Sequence, residues 1–279
     1  TSTRKTLLKS QKNEDTKQMT NLVQEKGKTI NDTPINNSTE TTNTNFVFAN
    51  IQGLITENNN SKIKYLETLL NEEEFAFAIF TESHLHKCKD GCERCIDDSE
   101  IKITNYNIIR TDRTDRKKGG CCIYLKENIK NEILISKSND YVELLAIKIE
   151  KLNLILIACY RPPQTERDKF EDTIKEIRNI LKDISKPMPN ILICGDFNFP
   201  FLKWKNINGN IIGEKIKGCT QSDREQSDLL LNLNNDFQLT QEISENTRKD
   251  NGLDLIFTNN SDLIQNIKIY DTIHSDHKI

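Results

Sequence analysis

The sequence predicts a four-layer α/β (α+β) sandwich, with two mostly antiparallel β-sheets packed face to face and helices outside. Three observations predict it. Strand-like apolar runs outnumber helical patterns from about residue 45 onward. Neighbouring runs such as 142–149 and 152–160 are spaced like hairpin partners. The helical patterns between runs each carry a single apolar face, as helices that cover a sheet do.

Taken in order, residues 1–44 are polar, rich in Lys, Asn, Thr and Gln, with few large apolar side chains. Such a stretch cannot bury enough surface to fold alone and reads as a disordered leader. A single folded domain follows, 45–279. Its strand-like runs are 46–50, 75–81, 107–111, 120–126, 142–149, 152–160, 190–195, 253–258 and 264–270. Helical spacing aligns Ile63, Leu66, Leu69 and Leu70 over 61–72, and Phe170, Ile174, Ile177, Ile180, Leu181 and Ile184 over 166–184. Over 223–236 it aligns Leu229, Leu230 and Leu233. No internal repeat is present.

Bulk properties narrow the function classes. Apolar residues make up 35% of the 279, enough for one sizeable core. The formal net charge is −3, so bulk charge does not make this a polyanion binder, and any nucleic-acid contact must come from local basic clusters. No stretch reaches the ~18 apolar residues of a membrane helix, and no secretory signal pattern is present. No membrane partner is expected. Cys121, Cys122, Cys159 and Cys194 lie inside apolar runs, where free cysteine behaves as a small hydrophobe. That favours a reduced, intracellular compartment. The start at Thr1 and the ending Asp276-His277-Lys278-Ile279, which reads as mid-strand, suggest a fragment truncated at its C-terminus.

The chemistry is written at the strand ends. Gly195-Asp196-Phe197-Asn198 follows the run Asn190-Ile-Leu-Ile-Cys194 and puts an acid and an amide one residue apart on the loop leaving a strand. Alone this is also an ordinary turn. The device recurs, however: Asn50, Glu82 and Tyr160 each follow an apolar run, Asp254 sits beside Leu255-Ile-Phe257, and Ser275-Asp276-His277 lies near the end. Phosphodiester hydrolysis needs a hard cation, an activated water and stabilised phosphoryl charge. Glu82 and Asn50 suit Mg²⁺, which prefers oxygen ligands. Asp196 suits orienting or deprotonating water, and Asn198 suits a hydrogen bond to the phosphate as charge builds. Tyr160 can donate its phenol to a phosphate oxygen. His277 suits an imidazolium whose tautomer Asp254 fixes, and Asp276 suits assisting the metal or the leaving group.

In this order, Ala49-Asn50-Ile-Gln-Gly-Leu54, Thr81-Glu82-Ser-His84, Tyr160-Arg-Pro-Pro163, Gly195-Asp196-Phe-Asn198, Thr247-Arg248, Leu253-Asp254-Leu-Ile-Phe-Thr258 and Ser275-Asp276-His277 resemble the endonuclease/exonuclease/phosphatase superfamily. Within it the chain looks like the apurinic-type endonuclease domain of LINE-type non-LTR retrotransposons. The Tyr-Arg-Pro-Pro stretch, Gly-Asp-Phe-Asn-Phe-Pro followed by Trp204, and Leu-Asp-Leu-Ile-Phe-Thr point there. The resemblance covers about 45–279 and implies the two-sheet sandwich. It implies a Mg²⁺- or Mn²⁺-dependent nick in target DNA, leaving a 3′-OH that primes reverse transcription, with action in the nucleus and a reverse transcriptase domain in the full-length element. It implies catalytic roles for Tyr160, Asp196, Asn198, Asp254, Asp276 and His277, and metal-holding roles for Asn50, Glu82 and Asp276. Thr247 and Ser275 match positions that help hold substrate or the histidine network.

Three further features carry alternatives. His84, His86, Cys88, Cys92 and Cys95 have a spacing that suits a structural Zn²⁺, or form an ordinary exposed loop. In the basic stretch 110–118, Arg113 and Arg116 either grip DNA phosphates or belong to a solvated hairpin loop. Trp204 stacks on a nucleotide or anchors its loop. At the level of function, the rivals are a superfamily phosphodiesterase acting on abasic DNA, RNA, a phospholipid or an inositol phosphate, and a catalytically dead relic that only binds nucleic acid or a partner.

Overall fold

Along the apolar runs, successive side chains go to opposite layers, as the strand period of two requires. The computed structural model describes residues 28–30, 44–55, 62–86, 96–113, 118–138, 141–183, 188–269 and 275–278. In β2 (Thr44–Asn50), Phe46 and Phe48 face the second sheet while Val47 and Ala49 face outward. β3 (Phe77–Thr81) repeats this with Phe77 and Ile79 inward and Ala78 and Phe80 outward, and β5 (Cys121–Lys126) with Cys121, Ile123 and Leu125 inward. With β1 (Lys28–Ile30) and β4 (Tyr106–Thr111) these form a five-stranded sheet of order β1-β2-β3-β5-β4.

The second sheet has six strands, in order β12-β13-β9-β8-β7-β6. They are β6 (Glu132–Ser138), β7 (Glu143–Ile149), β8 (Leu154–Tyr160), β9 (Asn190–Asp196), β12 (Thr240–Gln241) and β13 (Asp254–Thr258). Leu154, Leu156, Ala158, Leu192, Cys194 and Ile256 face the first sheet and close the inter-sheet core. Ile155, Ile157, Ile191, Ile193, Leu255 and Phe257 face the other way.

Three helices cover the outer faces among the described residues. α1 (Ile63–Glu72) lays Ile63, Leu66, Leu69 and Leu70 on the first sheet. α2 (Arg167–Lys182) and α3 (Gln221–Asp236) lay Phe170, Ile174, Ile177, Leu230 and Leu233 on the second. The sandwich is therefore four layers deep, and the expected fold class holds. Most strand pairs are antiparallel, but each sheet contains one parallel pair: β2 with β3, and β8 with β9. α1 and α2 make the crossovers these two pairs require.

Several elements differ from expectation. The run 264–270 is not a strand over its described residues 264–269; Ile264, Ile267 and Ile269 pack on the inter-sheet core without a ladder partner. β6 is not among the apolar runs of the sequence because it is a mostly exposed edge with weak alternation. β10 (Leu202–Ile207) and β11 (Asn210–Lys215) form a two-stranded hairpin that no apolar run marks. Its signal was Asn208-Gly209, whose positive φ values of 53° and 87° fit a tight primed turn. Trp204 anchors this hairpin edge-on against Phe257 with ring centroids 5.6 Å apart.

Candidate active site

Parallel neighbours carry side chains out of the same end of a sheet. Asn50 pairs with Thr81 across β2 and β3, and Tyr160 pairs with Asp196 across β8 and β9. β13 runs antiparallel to β9 and begins at that end, with Asp254 opposite Asp196. Asn50, Tyr160, Asp196 and Asp254 continue the inward-facing side of their strands, so they converge at one end of the inter-sheet core. Asn50, Asp196, Asp254 and His277 are all at most 2% exposed.

Asn50 is the hub. Its Nδ2 donates to Glu82 Oε1 and to Asp196 Oδ2, both at 2.8 Å, and lies 3.5 Å from His277 Nε2. Its Oδ1 accepts from the Gln52 amide at 3.2 Å. As oriented, Asn50 is a donor between two acids; offering oxygen to a cation requires the amide to turn over. Glu82 also faces His84 Nε2 at 3.1 Å, and its charge acts on the neighbouring Tyr160 phenol. Burial alone would raise the Glu82 carboxyl, but the hydrogen bonds from His84 and Asn50 outweigh it and hold the carboxyl low. Burial pushes the Tyr160 phenol far above its usual range, so it stays a proton donor.

Asp196 is the opposite case. Burial first, then the neighbouring Asp254 charge, pushes its carboxyl well above the usual carboxylate range. Its Oδ1 accepts from the Asn198 amide at 3.1 Å. The Asn198 side chain is turned away from Asp196, its Nδ2 donating to the Arg161 carbonyl at 2.9 Å. Beneath this loop lies a fully buried Arg161. Its NH1 donates to the carbonyls of Phe197 (3.2 Å) and Asn198 (3.0 Å), its Nε and NH2 donate to Gln226 Oε1 on α3, and its guanidinium lies over the Phe199 ring. Arg161 and Gln226 were not singled out, since nothing local marks an arginine as an interior brace.

His277 completes the cluster. Its Nδ1 lies 2.7 Å from Asp254 Oδ2. Burial alone would lower the imidazole, but the hydrogen bond and charge of Asp254 outweigh it and the net shift is upward. Thr247 and Ser275 join this histidine network. Thr247 Oγ1 accepts from the amides of Leu253 and Asp254 at 3.1 and 3.0 Å, fixing the start of β13. Ser275 Oγ donates to the Asn50 carbonyl at 2.9 Å and accepts from the His277 amide at 3.2 Å. Asp276 stands at the rim, its Oδ1 3.8 Å from His277 Nε2. Gln52 and Arg248 hold it, and neither was expected as a site residue. Burial alone would raise Asp276, but the Arg248 hydrogen bond outweighs it and keeps the carboxyl low.

One expectation is corrected. Arg113 does not grip DNA from a surface loop: it is 3% exposed and paired with the fully buried Glu143, its guanidinium 5.9 Å from the Tyr160 ring centroid. The Gly119 backbone lies so close that a Cβ there would meet Arg113 at 2.5 Å. His84 is engaged with Glu82, inside the candidate site. Arg116, Cys88, Cys92 and Cys95 lie outside the described residues.

The cluster fits a hard divalent cation. Glu82, Asp196 and His277 offer ligand atoms within 4.8 Å of one another. Asp254 Oδ1 is buried without a hydrogen-bond partner, so negative charge is concentrated here beyond what the local donors satisfy. Carboxylate oxygens grouped in this way are the donors a hard divalent cation prefers. No helix among the described residues is long and apolar enough to cross a membrane.

Residues 154–279 match the family model described as endonuclease-reverse transcriptase. No curated protein sequence matches the chain. Among solved structures, the endonuclease domain of TRAS1, a telomere-specific non-LTR retrotransposon, is similar over 83% of this chain and 94% of its own, at TM-score 0.53 and 14% identity. The AP endonuclease LMAP from Leishmania major is similar over 84% of this chain and 85% of its own, at TM-score 0.53 and 11% identity. The Neisseria 3′ phosphatase NExo, solved bound to a product DNA hairpin, is similar over 83% and 95%, at TM-score 0.52 and 12% identity. The motif resemblance is thus met by a family model over residues 154–279 and by a fold shared with these solved structures.

Proposed function

We propose that this chain is a Mg²⁺- or Mn²⁺-dependent DNA endonuclease domain that nicks target DNA for retrotransposition. In the full-length element it would accompany a reverse transcriptase, and it would act in the nucleus. The observation that carries this reading is the convergence of Asn50, Glu82, Tyr160, Asp196 and the Asp254–His277 pair at one end of a sandwich of this fold.

Glu82, Asn50 and Asp276 would hold the cation, which when bound supplies positive charge to the phosphate oxygens. Asp196, raised by its surroundings, is a stronger proton acceptor than an ordinary carboxylate and takes the proton of the attacking water. The water oxygen bonds to phosphorus, the P–O3′ bond breaks, and the 3′ oxygen leaves as an alcohol after taking a proton from solvent. Asp276, held as an anion by Arg248, suits a cation better than proton donation. His277, whose imidazolium form the neighbouring Asp254 favours, would stabilise the developing phosphoryl charge. Tyr160 donates its phenol to a phosphate oxygen. Asn198 has spent one amide hydrogen on the Arg161 carbonyl and keeps the second for phosphate.

Incubating the chain with supercoiled plasmid, with Mg²⁺ or EDTA, alongside Asp196→Ala tests this reading. Metal-dependent conversion to open circles by the wild type alone supports it. Conversion in neither, on plasmid or on abasic duplex, overturns it.

A further inference from the structure

We propose that Arg248 is a substrate-phosphate contact of this site, parked on Asp276 in the free chain and transferred to a DNA phosphate on binding. The inference rests on the endonuclease reading and deepens it.

The pair stands at the mouth of the acid cluster. Arg248 Nε and NH2 both reach Asp276 Oδ2, at 2.9 and 2.7 Å, while Gln52 Nε2 donates to the other oxygen. The Arg248 and Asp276 side chains are 35% and 41% exposed. A solvent-facing ion pair of this kind contributes little net stability, so giving it up costs little. A phosphate offers the same forked geometry and a stronger charge-assisted bond, so the exchange is easily made.

The other arginines near the cluster are committed to the interior. Arg161 is buried against carbonyls and Gln226, and Arg113 is buried against Glu143. Behind the mouth lie the acids Glu82, Asp196 and Asp254, and Asp276 stands at its rim. Positive charge at the reacting phosphate comes from His277 and the cation; at the rim, Arg248 is the arginine placed to face an entering phosphodiester.

The root of this arm is rigid. Arg248 and Asn251 exchange backbone hydrogen bonds at 2.9 and 3.0 Å, closing a tight turn. Lys203 pins that turn through the Asp250 carbonyl and through Asn251 Oδ1 at 2.9 Å. Thr247, one residue earlier, holds the amide of Asp254 and accepts from the Lys278 amide through its carbonyl. The guanidinium can therefore change partners by side-chain rotation alone, while its Cα keeps its distance from the Asp254–His277 pair.

The test is equilibrium binding of a short DNA duplex by the full chain in EDTA, across a salt series, with folding checked by melting temperature. Arg248→Gln should weaken binding several-fold and flatten the slope of log K against log salt by ~0.9, the loss of one phosphate contact. Arg248→Lys should keep the slope. Asp276→Asn should tighten binding, and the double variant Arg248→Gln/Asp276→Asn should lose that gain. An unchanged slope in Arg248→Gln, with salt-dependent binding by the wild type, overturns the inference and leaves Arg248 only orienting Asp276. No salt-dependent DNA binding by the wild type would instead sink the endonuclease reading, and this inference with it.

Discussion

The two sheets deliver their site residues by different means. The six-stranded sheet places Tyr160, Asp196 and Asp254 while they are still in strands, so ladder register sets their positions. The five-stranded sheet delivers Asn50 from β2, but Glu82 comes from the loop beyond β3. The loops after β2 and β3 are left-handed at Gln52 and at Glu82 and His84, with φ of 45°, 51° and 56°. Each such residue costs roughly 1–2 kcal/mol. Backbone bonds between loops offset the strain: the amides of Gly53 and Leu54 donate to the carbonyls of Glu82 and Ser83, and those of Ser83 and His84 donate to the carbonyls of Gly120 and Gly119. One half of the site is therefore as rigid as its sheet, while the other depends on three loops holding one another.

The largest expected effect comes from the link between the halves. Arg113 follows β4 in one sheet, and its partner Glu143 begins β7 in the other. Arg113→Met leaves a buried carboxylate alone and should cost ~3–5 kcal/mol of stability, read as a lower urea midpoint. Arg113→Met/Glu143→Leu should recover much of it; equal losses in single and double variants would refute the pairing account.

Next come the site residues themselves. Asp196→Ala, Glu82→Ala and His277→Ala should each lower Mg²⁺-dependent nicking ~10²–10³-fold with the fold intact. Wild-type rates for Glu82→Ala but not Asp196→Ala would mean that only the sheet-borne half carries the chemistry.

Two glycines then sharpen the contrast. A Cβ at Gly195 would lie 2.3 Å from the Cys159 carbonyl oxygen, backbone that cannot yield, so Gly195→Ala should cost ~3 kcal/mol. A Cβ at Gly120 would lie 2.5 Å from Ser83 Oγ, a side chain that can turn, although φ is +87°. Gly120→Ala should cost less, ~1–2 kcal/mol, and adding Ser83→Ala should relieve the steric part. Thermal melts that rank Gly120→Ala as the worse would reverse the assignment of rigidity.

The smallest effect is a pH dependence. The His277 pKa is raised in the folded chain from 6.5, so its contribution to stability is complete below pH 6.5 and fades as pH rises through the folded value. The stability gap between wild type and His277→Gln should therefore narrow toward alkaline pH. A gap that widens would mean that Asp254 does not favour the cation.

Much of the architecture was legible in the sequence because it is local. Period-two runs marked most of the long strands, and three-to-four spacing marked all three described helices, with ends off by a few residues. Polar residues at run ends pointed to Asn50, Glu82, Tyr160, Asp196 and Asp254, which the structure brings together. Where local pattern misled, packing had decided otherwise. Residues 264–269 are apolar and alternating enough for a strand but find no ladder. Arg113 sits in a stretch that reads as solvated, yet Glu143, thirty residues away, draws it inside.

By itself the sequence determined which side chains face inward and where strands end, because a strand's two faces and its termini are properties of adjacent residues. Only the tertiary structure decided who meets whom. Asn50 reaches Asp196 across 146 residues, and Arg248 finds Asp276 across 28. Arg161 becomes an interior brace only because α3 brings Gln226 beneath the Asp196 loop. Such partnerships follow from sheet register and loop closure, which depend on the whole chain packing at once and leave no mark in any short stretch of it.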